Sequence, residues 1–215
     1  ISYDNAITKE VAIGEIQNYL ATSDFKHPNR TLLNNANRNN ILIISGTNRK
    51  NSRSRIISDI YSDILTNAGA ENEVLDLNIL PRDFTYSALY ENALQHPEVN
   101  KLQEKIDNIE KVVFVISEYN GSFPGALKAF MDGLRYPDTF TGKKGALVGF
   151  SSNAQGAPLA LSHMTDILHH LGMILLPDKP KLPFIEDILD EKEGRLTSPF
   201  YHDLLVQQAK VLKEF

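Results

Sequence analysis

Residues Lys111–Asp132 read KVVFVISEYNGSFPGALKAFMD. The apolar run Val112–Ile116 is a short strand. A polar loop follows it and ends at Pro124-Gly125, where Ser-Phe-Pro-Gly suits the start of a helix running to about Leu134. In α/β proteins ligands bind where strands end and helices begin. This loop places an acid, a phenol, an amide and hydroxyls at such a point: Glu118, Tyr119, Asn120, Ser117 and Ser122.

The same alternation repeats on both sides. Ile41–Ser45 is wholly apolar up to its serine, as in a central parallel strand. Ser52–Asn67 reads as a helix with Ile56, Ile57, Ile60, Ile64 and Leu65 on one face, and Gly69 lies just past its end. Asn72–Leu77 is a strand. Leu80–Gln95 lacks clean periodicity; its Phe84, Tyr86 and Tyr90 suggest an aromatic connection placed to wall a pocket. Pro97–Glu110 is a helix with Val99, Leu102, Ile106 and Ile109 inward. Downstream come a strand (Gly145–Ser151), a helix (Leu159–Leu171) and a strand (Met173–Leu176). An exposed excursion is expected over Pro177–Gly194, and a closing helix over Pro199–Phe215. Strands alternating with helices at this spacing predict parallel βαβ units, with helices on both faces of a five-stranded sheet.

Composition sets limits. At 215 residues, 42% hydrophobic and 23% charged, the chain suits one well-filled α/β domain. A net charge of −5 offers no basic footprint for nucleic acid. With no cysteine, disulfide frameworks, thiolate chemistry and cysteine metal sites are excluded. No apolar run reaches the roughly 18 residues of a membrane span, so neither nucleic acid nor membrane is an expected partner. The cytoplasm is the expected compartment. The chain opens on Ile1 rather than methionine, which leaves its natural N-terminus open. Residues 1–40 read as a separate extension: a helix over Ala6–Leu20, then loop, then the asparagine-rich tether Asn34–Asn40. Residues 41–215 form the main domain. His163 and His169 are six apart on one helix, which is not a metal-ligand spacing for a helix face.

Three loops carry the chemistry. Ser45–Ser54, SGTNRKNSRS, enters a helix N-terminus with four hydroxyls, one glycine and several cations; free N–H groups, hydroxyls and arginines together fit a terminal phosphate. The plain alternative is that Ser52 is only a helix cap and the arginines a solvated turn. The loop after Ile116 offers in-plane donors and acceptors and, at Gly121, a close backbone approach for a flat heterocycle. Alternatively, Asn120 and Ser122 merely build a turn. Ser151–Ala157, SSNAQGA, suits the rim of a cleft. In a sheet of order 2-1-3-4-5 these three loops lie side by side at the strand-order reversal, and together they read as a mononucleotide site. GxxxxGK[ST] and GxGxxG are both absent, which argues against a P-loop and a Rossmann dinucleotide site.

The loop Glu118–Lys128 resembles the E-Y-N-x-S-x-P-G-x-L-K motif of the NADPH-dependent FMN reductase family, and Gly46–Ser54 resembles that family's G-S-x-R-x-x-S-x-N phosphate signature. The resemblance spans about Ile41–Phe215. It implies a flavodoxin-like three-layer α/β sandwich with a five-stranded parallel sheet of order 2-1-3-4-5, preceded by an N-terminal helical extension. It implies FMN as cofactor and NADPH or NADH as co-substrate. Thr47, Arg49, Ser52 and Ser54 would hold the phosphate. Glu118, Tyr119, Asn120 and Ser122 would meet the ring, with Ser151, Ser152 and Asn153 at its edge. Hydride would pass from NAD(P)H through flavin N5 to a quinone-like, flavin or other small acceptor in ping-pong fashion, with no acid–base triad. A homodimer is implied as well. The competing reading is a flavodoxin-type electron carrier without NAD(P)H activity; a further one is a scaffold that has kept the fold and lost FMN.

Overall fold

Three strands organise the molecule because their sequences leave no polar side to face water. In the computed structural model, which describes residues 40–215, these are β1 (Asn40–Ser45), β3 (Lys111–Ser117) and β4 (Lys144–Phe150), buried along almost their whole length. β2 (Glu71–Asp76) joins the free side of β1. The order is β2-β1-β3-β4-β5, every pairing parallel, with β5 at Ile174–Leu175. This is the expected 2-1-3-4-5 sheet. The helix and tether expected over residues 1–40 lie outside the described residues except for Asn40, which opens β1 rather than ending a linker.

Helices cover both faces. They are α1 (Arg53–Asn67), α2 (Phe84–Ser87), α3 (Pro97–Asp107), α4 (Gly125–Asp132), α5 (Pro158–His170), α6 (Ile185–Ile188) and α7 (Pro199–Glu214). Side chains alternate across a strand, so β1 feeds two cores. Ile41 and Ile43 pack with Val113 and Val115 against Tyr61 of α1 and Leu205 of α7. Leu42 and Ile44 pack with Phe114 and Ile116 against Ile106 of α3, Leu127 of α4 and Met164 of α5. Within the described residues, each α-helix expected from the periodicity forms within a few residues of its predicted bounds.

Two expectations need correction. The fifth strand is not continuous: β5 pairs with Lys144 and Gly145, the chain detours through Leu176–Pro180, and β6 (Lys181–Leu182) returns to pair with Gly149 and Phe150. Pro177 and Pro180 lack the N–H a ladder needs, which gives the detour its cause. The segment Pro177–Gly194 is therefore not a plain exposed excursion. Leu182, Ile185 and Leu189 are buried, and a small hairpin of β7 (Leu189–Asp190) and β8 (Arg195–Leu196) closes it. In the aromatic connection Phe84 turns inward, while Tyr86 and Tyr90 are more than four-fifths exposed.

The amino ends of the strands hold three lysines that answer helix C-termini. Lys143 Nζ donates to the carbonyls of Ile106, in the last turn of α3, and Ile109, just beyond it. Lys111 Nζ donates to Lys213 O at 2.6 Å and Lys144 Nζ to Phe215 O at 2.5 Å, both at the end of α7. Terminal carbonyls without intrahelical partners attract cations. Lysine ammonium groups thus gather at one edge of the sheet and the polar loops at the other.

Candidate functional site

Loop 1, between β1 and α1, begins flush against β3: Gly46 N donates to Val115 O at 3.0 Å. A Cβ at Gly46 would lie 2.7 Å from that same oxygen, so only glycine fits. Thr47 is buried, and its Oγ1 lies 3.1 Å from the Tyr119 hydroxyl, tying loop 1 to the next loop. Asn51 takes a left-handed φ of 51°, after which Ser52 caps α1 by accepting from Arg55 N at 3.2 Å. That bond uses the oxygen of Ser52 and leaves its proton free to donate. No acid occupies the first turn of α1. Ser54, in the first turn of α1, is 0% exposed and its Oγ has no partner.

Loop 2 follows β3. Tyr119 and Ser122 exchange backbone hydrogen bonds of 2.7 and 3.0 Å around Asn120 (φ 50°) and Gly121 (φ 75°). A turn with two left-handed central residues favours Asn-Gly, so the sequence specifies this turn locally. Ser122 Oγ lies 2.9 Å from His163 Nδ1 on α5. Glu118 N donates to Phe150 O at 3.1 Å, and Glu118 Oε1 accepts from Asn153 Nδ2 at 3.2 Å. Glu118 Oε2 and Ser117 Oγ are buried without partners.

Loop 3 follows β4 and is largely self-built. Ser151 Oγ donates to Asn153 Oδ1 at 2.8 Å and accepts from Gly156 N at 3.1 Å. Asn153 Oδ1 also accepts from Gln155 N at 2.8 Å. Gly156 and Ala157 are both left-handed, and Leu182 N stands 2.9 Å from where a Gly156 Cβ would sit.

Between the loops lies a cavity of about 300 Å³. Of the residues singled out from sequence, Thr47, Arg49, Ser52, Ser54, Glu118, Tyr119, Ser151 and Ser152 line it. Asn120, Ser122 and Asn153 do not; they sit on the adjoining turn and rim. Lining residues not assigned from sequence include Arg53, Phe150, Ile185 and Glu191. Arg53 was visible as a loop cation. Ile185 and Glu191 carried no signal, because they arrive from the segment read as an excursion. A larger cavity of about 520 Å³ lies between the C-terminal halves of α4 and α5. It is away from the three loops, so the smaller cavity is the candidate site.

The cations of loop 1 divide into two pairs. Arg53 donates Nε to Glu191 Oε1 at 2.6 Å and pairs with Glu186. Arg55 turns to Asp59 at 2.9 Å. Arg49 and Lys50 are exposed, and among the described residues their charged ends have no partner. The Glu191 bond, then Glu186, raises the pKa of Arg53 against the opposing effect of burial. Glu186 is held below the usual carboxylate range, chiefly by a hydrogen bond from Ser152 Oγ at 2.7 Å.

A parallel sheet of this order, with polar loops converging at its strand-order reversal, defines a flavodoxin-like nucleotide-binding protein. The model of the NADPH-dependent FMN reductase family matches residues 39–185, and the chain belongs to that family: it is an FMN-dependent oxidoreductase that draws on NAD(P)H. It is 28% identical to a 2-hydroxy-1,4-benzoquinone reductase from Burkholderia sp over 140 residues, 63% of this chain and 73% of that one. It is 26% identical to an NADPH azoreductase from Bacillus sp. over 165 residues, 77% of this chain and 88% of that one. In fold it is similar to the flavoenzyme NAD(P)H:(acceptor) oxidoreductase FerB from Paracoccus denitrificans, with a TM-score of 0.63 and 22% identity over 82% of this chain and 96% of that one. Among the described residues no helix is long and apolar enough to cross a membrane.

Proposed function

We propose that the cavity between the three loops is the FMN site, and that the enzyme reduces a quinone-like, flavin or other small acceptor. Ser54 carries this reading. A fully buried hydroxyl lines the cavity, in the first turn of a helix, with no partner. Leaving such a group unsatisfied costs roughly 1–3 kcal/mol, and a phosphate oxygen in the cavity would satisfy it. Thr47 and Ser52 would add hydroxyls, Arg49 charge, and the first turn of α1 its free N–H groups. The cavity is at the small end for ligand sites, which suits a phosphate and ribityl trough with the ring lying at its rim. There Glu118, Tyr119, Asn120 and Ser122 would meet one edge, and Ser151, Ser152 and Asn153 the other.

Bound FMN supplies the hydride chemistry between NADPH or NADH and the acceptor. The chain's own part is to bind and orient. The turn at Asn120-Gly121 fixes the backbone beside the ring, and the Thr47–Tyr119 contact holds phosphate and ring loops at a set distance. One accessible ring face would serve donor and acceptor in succession, which is ping-pong kinetics. We further read the enzyme as a cytoplasmic homodimer whose domain is residues 41–215, with residues 1–40 as an extension.

An absorbance spectrum of the purified protein with added FMN, followed by anaerobic NADPH titration, tests the site. Flavin absorbance that bleaches with NADPH and returns with a quinone is the expected result. A protein that takes up no FMN would sink the assignment, and bound FMN that NADPH never bleaches would favour the electron carrier. Light scattering after size exclusion reads the dimer.

A further inference from the structure

Glu186 and Glu191 lie just beyond the stretch that the family model matches, which ends at residue 185. Both carboxylates converge on the guanidinium of Arg53, a residue that lines the cavity. Arg53 donates to Glu191 through Nε and to Glu186 through its terminal nitrogen. Glu186 also accepts from Ser152 Oγ at 2.7 Å. One carboxylate therefore spans from loop 1 to loop 3. The arm that brings it is fixed at its base: Ile185 N donates to Ser151 O, Phe184 N donates to Asn153 O, and Ile185 and Leu189 are buried. Beyond that base, the side chains of Glu186 and Glu191 and the turn Glu191–Gly194 are exposed.

The charge count matters here. Two carboxylates on one guanidinium leave a net negative charge beside residues that, on the reading above, receive a phosphate. Arg53 lines that cavity, and with its Nε and one terminal nitrogen held by two carboxylates a phosphate approaching it meets like charge. Exposed ion pairs are individually weak and salt-screened. A phosphate dianion at a helix N-terminus gains charge-assisted bonds and the helix dipole together. The exchange therefore favours the phosphate.

We propose that Glu186 and Glu191 are an anion latch on Arg53, which the phosphate of an incoming mononucleotide displaces, freeing the Glu191–Gly194 turn and the Ser152 hydroxyl. The latch rests on the phosphate assignment. It lowers affinity for any ligand that must take Arg53, so loading favours a ligand with a terminal phosphate strong enough to win the exchange.

The chain has no cysteine, so Lys192→Cys gives a unique attachment point for a nitroxide on the turn between the latch and its hairpin. Spin-label mobility should rise with FMN and with inorganic phosphate and stay unchanged with riboflavin, which lacks the phosphate. In E186Q/E191Q the label should be mobile from the outset, and FMN should bind roughly five-fold tighter by fluorescence quenching, the scale of exposed ion pairs. Labelled Lys192→Cys protein that binds FMN with no gain in label mobility, or an E186Q/E191Q variant that binds FMN more weakly, overturns the latch and leaves the FMN site standing. No FMN binding by either protein removes both.

Discussion

Ser54 shows how a single hydroxyl separates folding from binding. With no partner for its Oγ, Ser54→Ala should leave the melting temperature of the flavin-free protein unchanged or slightly raised. The same change should weaken FMN binding about ten- to a hundred-fold, the value of one hydrogen bond to a charged group. Parallel thermal melts and fluorescence titrations check both halves. The sequence could place Ser54 in loop 1 but not tell a phosphate ligand from a helix residue; its burial decides that it lines the cavity. Ser52 turned out to be a cap with its proton still free, so the two alternatives for it were compatible. At the other edge of the sheet, burial lowers the pKa of Lys143 from 10.5 to about 8. The folded state sheds this proton before the unfolded chain does. The cost of burying the charge is fully present below about pH 8 and fades as pH rises toward 10.5. Urea midpoints should therefore show wild type gaining stability relative to Lys143→Met between pH 7.5 and pH 10.

Among elements, α7 does more than cover a face. Gln208 is 3% exposed. Its Nε2 donates to Leu147 O at 3.0 Å and Asp178 O at 2.8 Å, and its Oε1 accepts from the Tyr61 hydroxyl at 3.0 Å. Leu147 O lies on β4 in the stretch where β5 has ended and β6 has not begun, so a side-chain amide stands in for the missing strand. Gln208→Leu should cost roughly 2–4 kcal/mol, since it strands two buried polar groups; denaturant titration measures it. None of this was legible from sequence. One of two adjacent glutamines in a helix carries no periodic signal, and the interrupted strand it serves was read as one piece followed by an excursion. The strands β1, β3 and β4, by contrast, were plain, because burial on both faces demands an uninterrupted apolar run.

Over the whole molecule, the family match ends before the fold does. Residues 186–215 include α7, whose Leu205, Ala209 and Leu212 are fully buried in the core that also holds β1 and α1. A chain truncated after Leu196 should lose cooperative unfolding, seen as a broad melt by circular dichroism, although every residue matched to the family is kept. The main strands and the three loops were legible because each rests on local pattern, and the order of the strands came with the family resemblance. The arm carrying Glu186 and Glu191 was not, since its place depends on contacts more than 130 residues apart in sequence.

The broken fifth strand also governs how copies of this protein can meet. A long edge strand with unpaired N–H and C=O groups is a template for adding foreign strands and for aggregation. Here that edge is two pieces of two residues each, with the carbonyl between them already taken by Gln208. Sheet extension from this side would find no continuous run to copy. Among the described residues, self-association is therefore left to surfaces other than the β5–β6 edge, where misassembly is blocked by the same detour that gives Gln208 its partners.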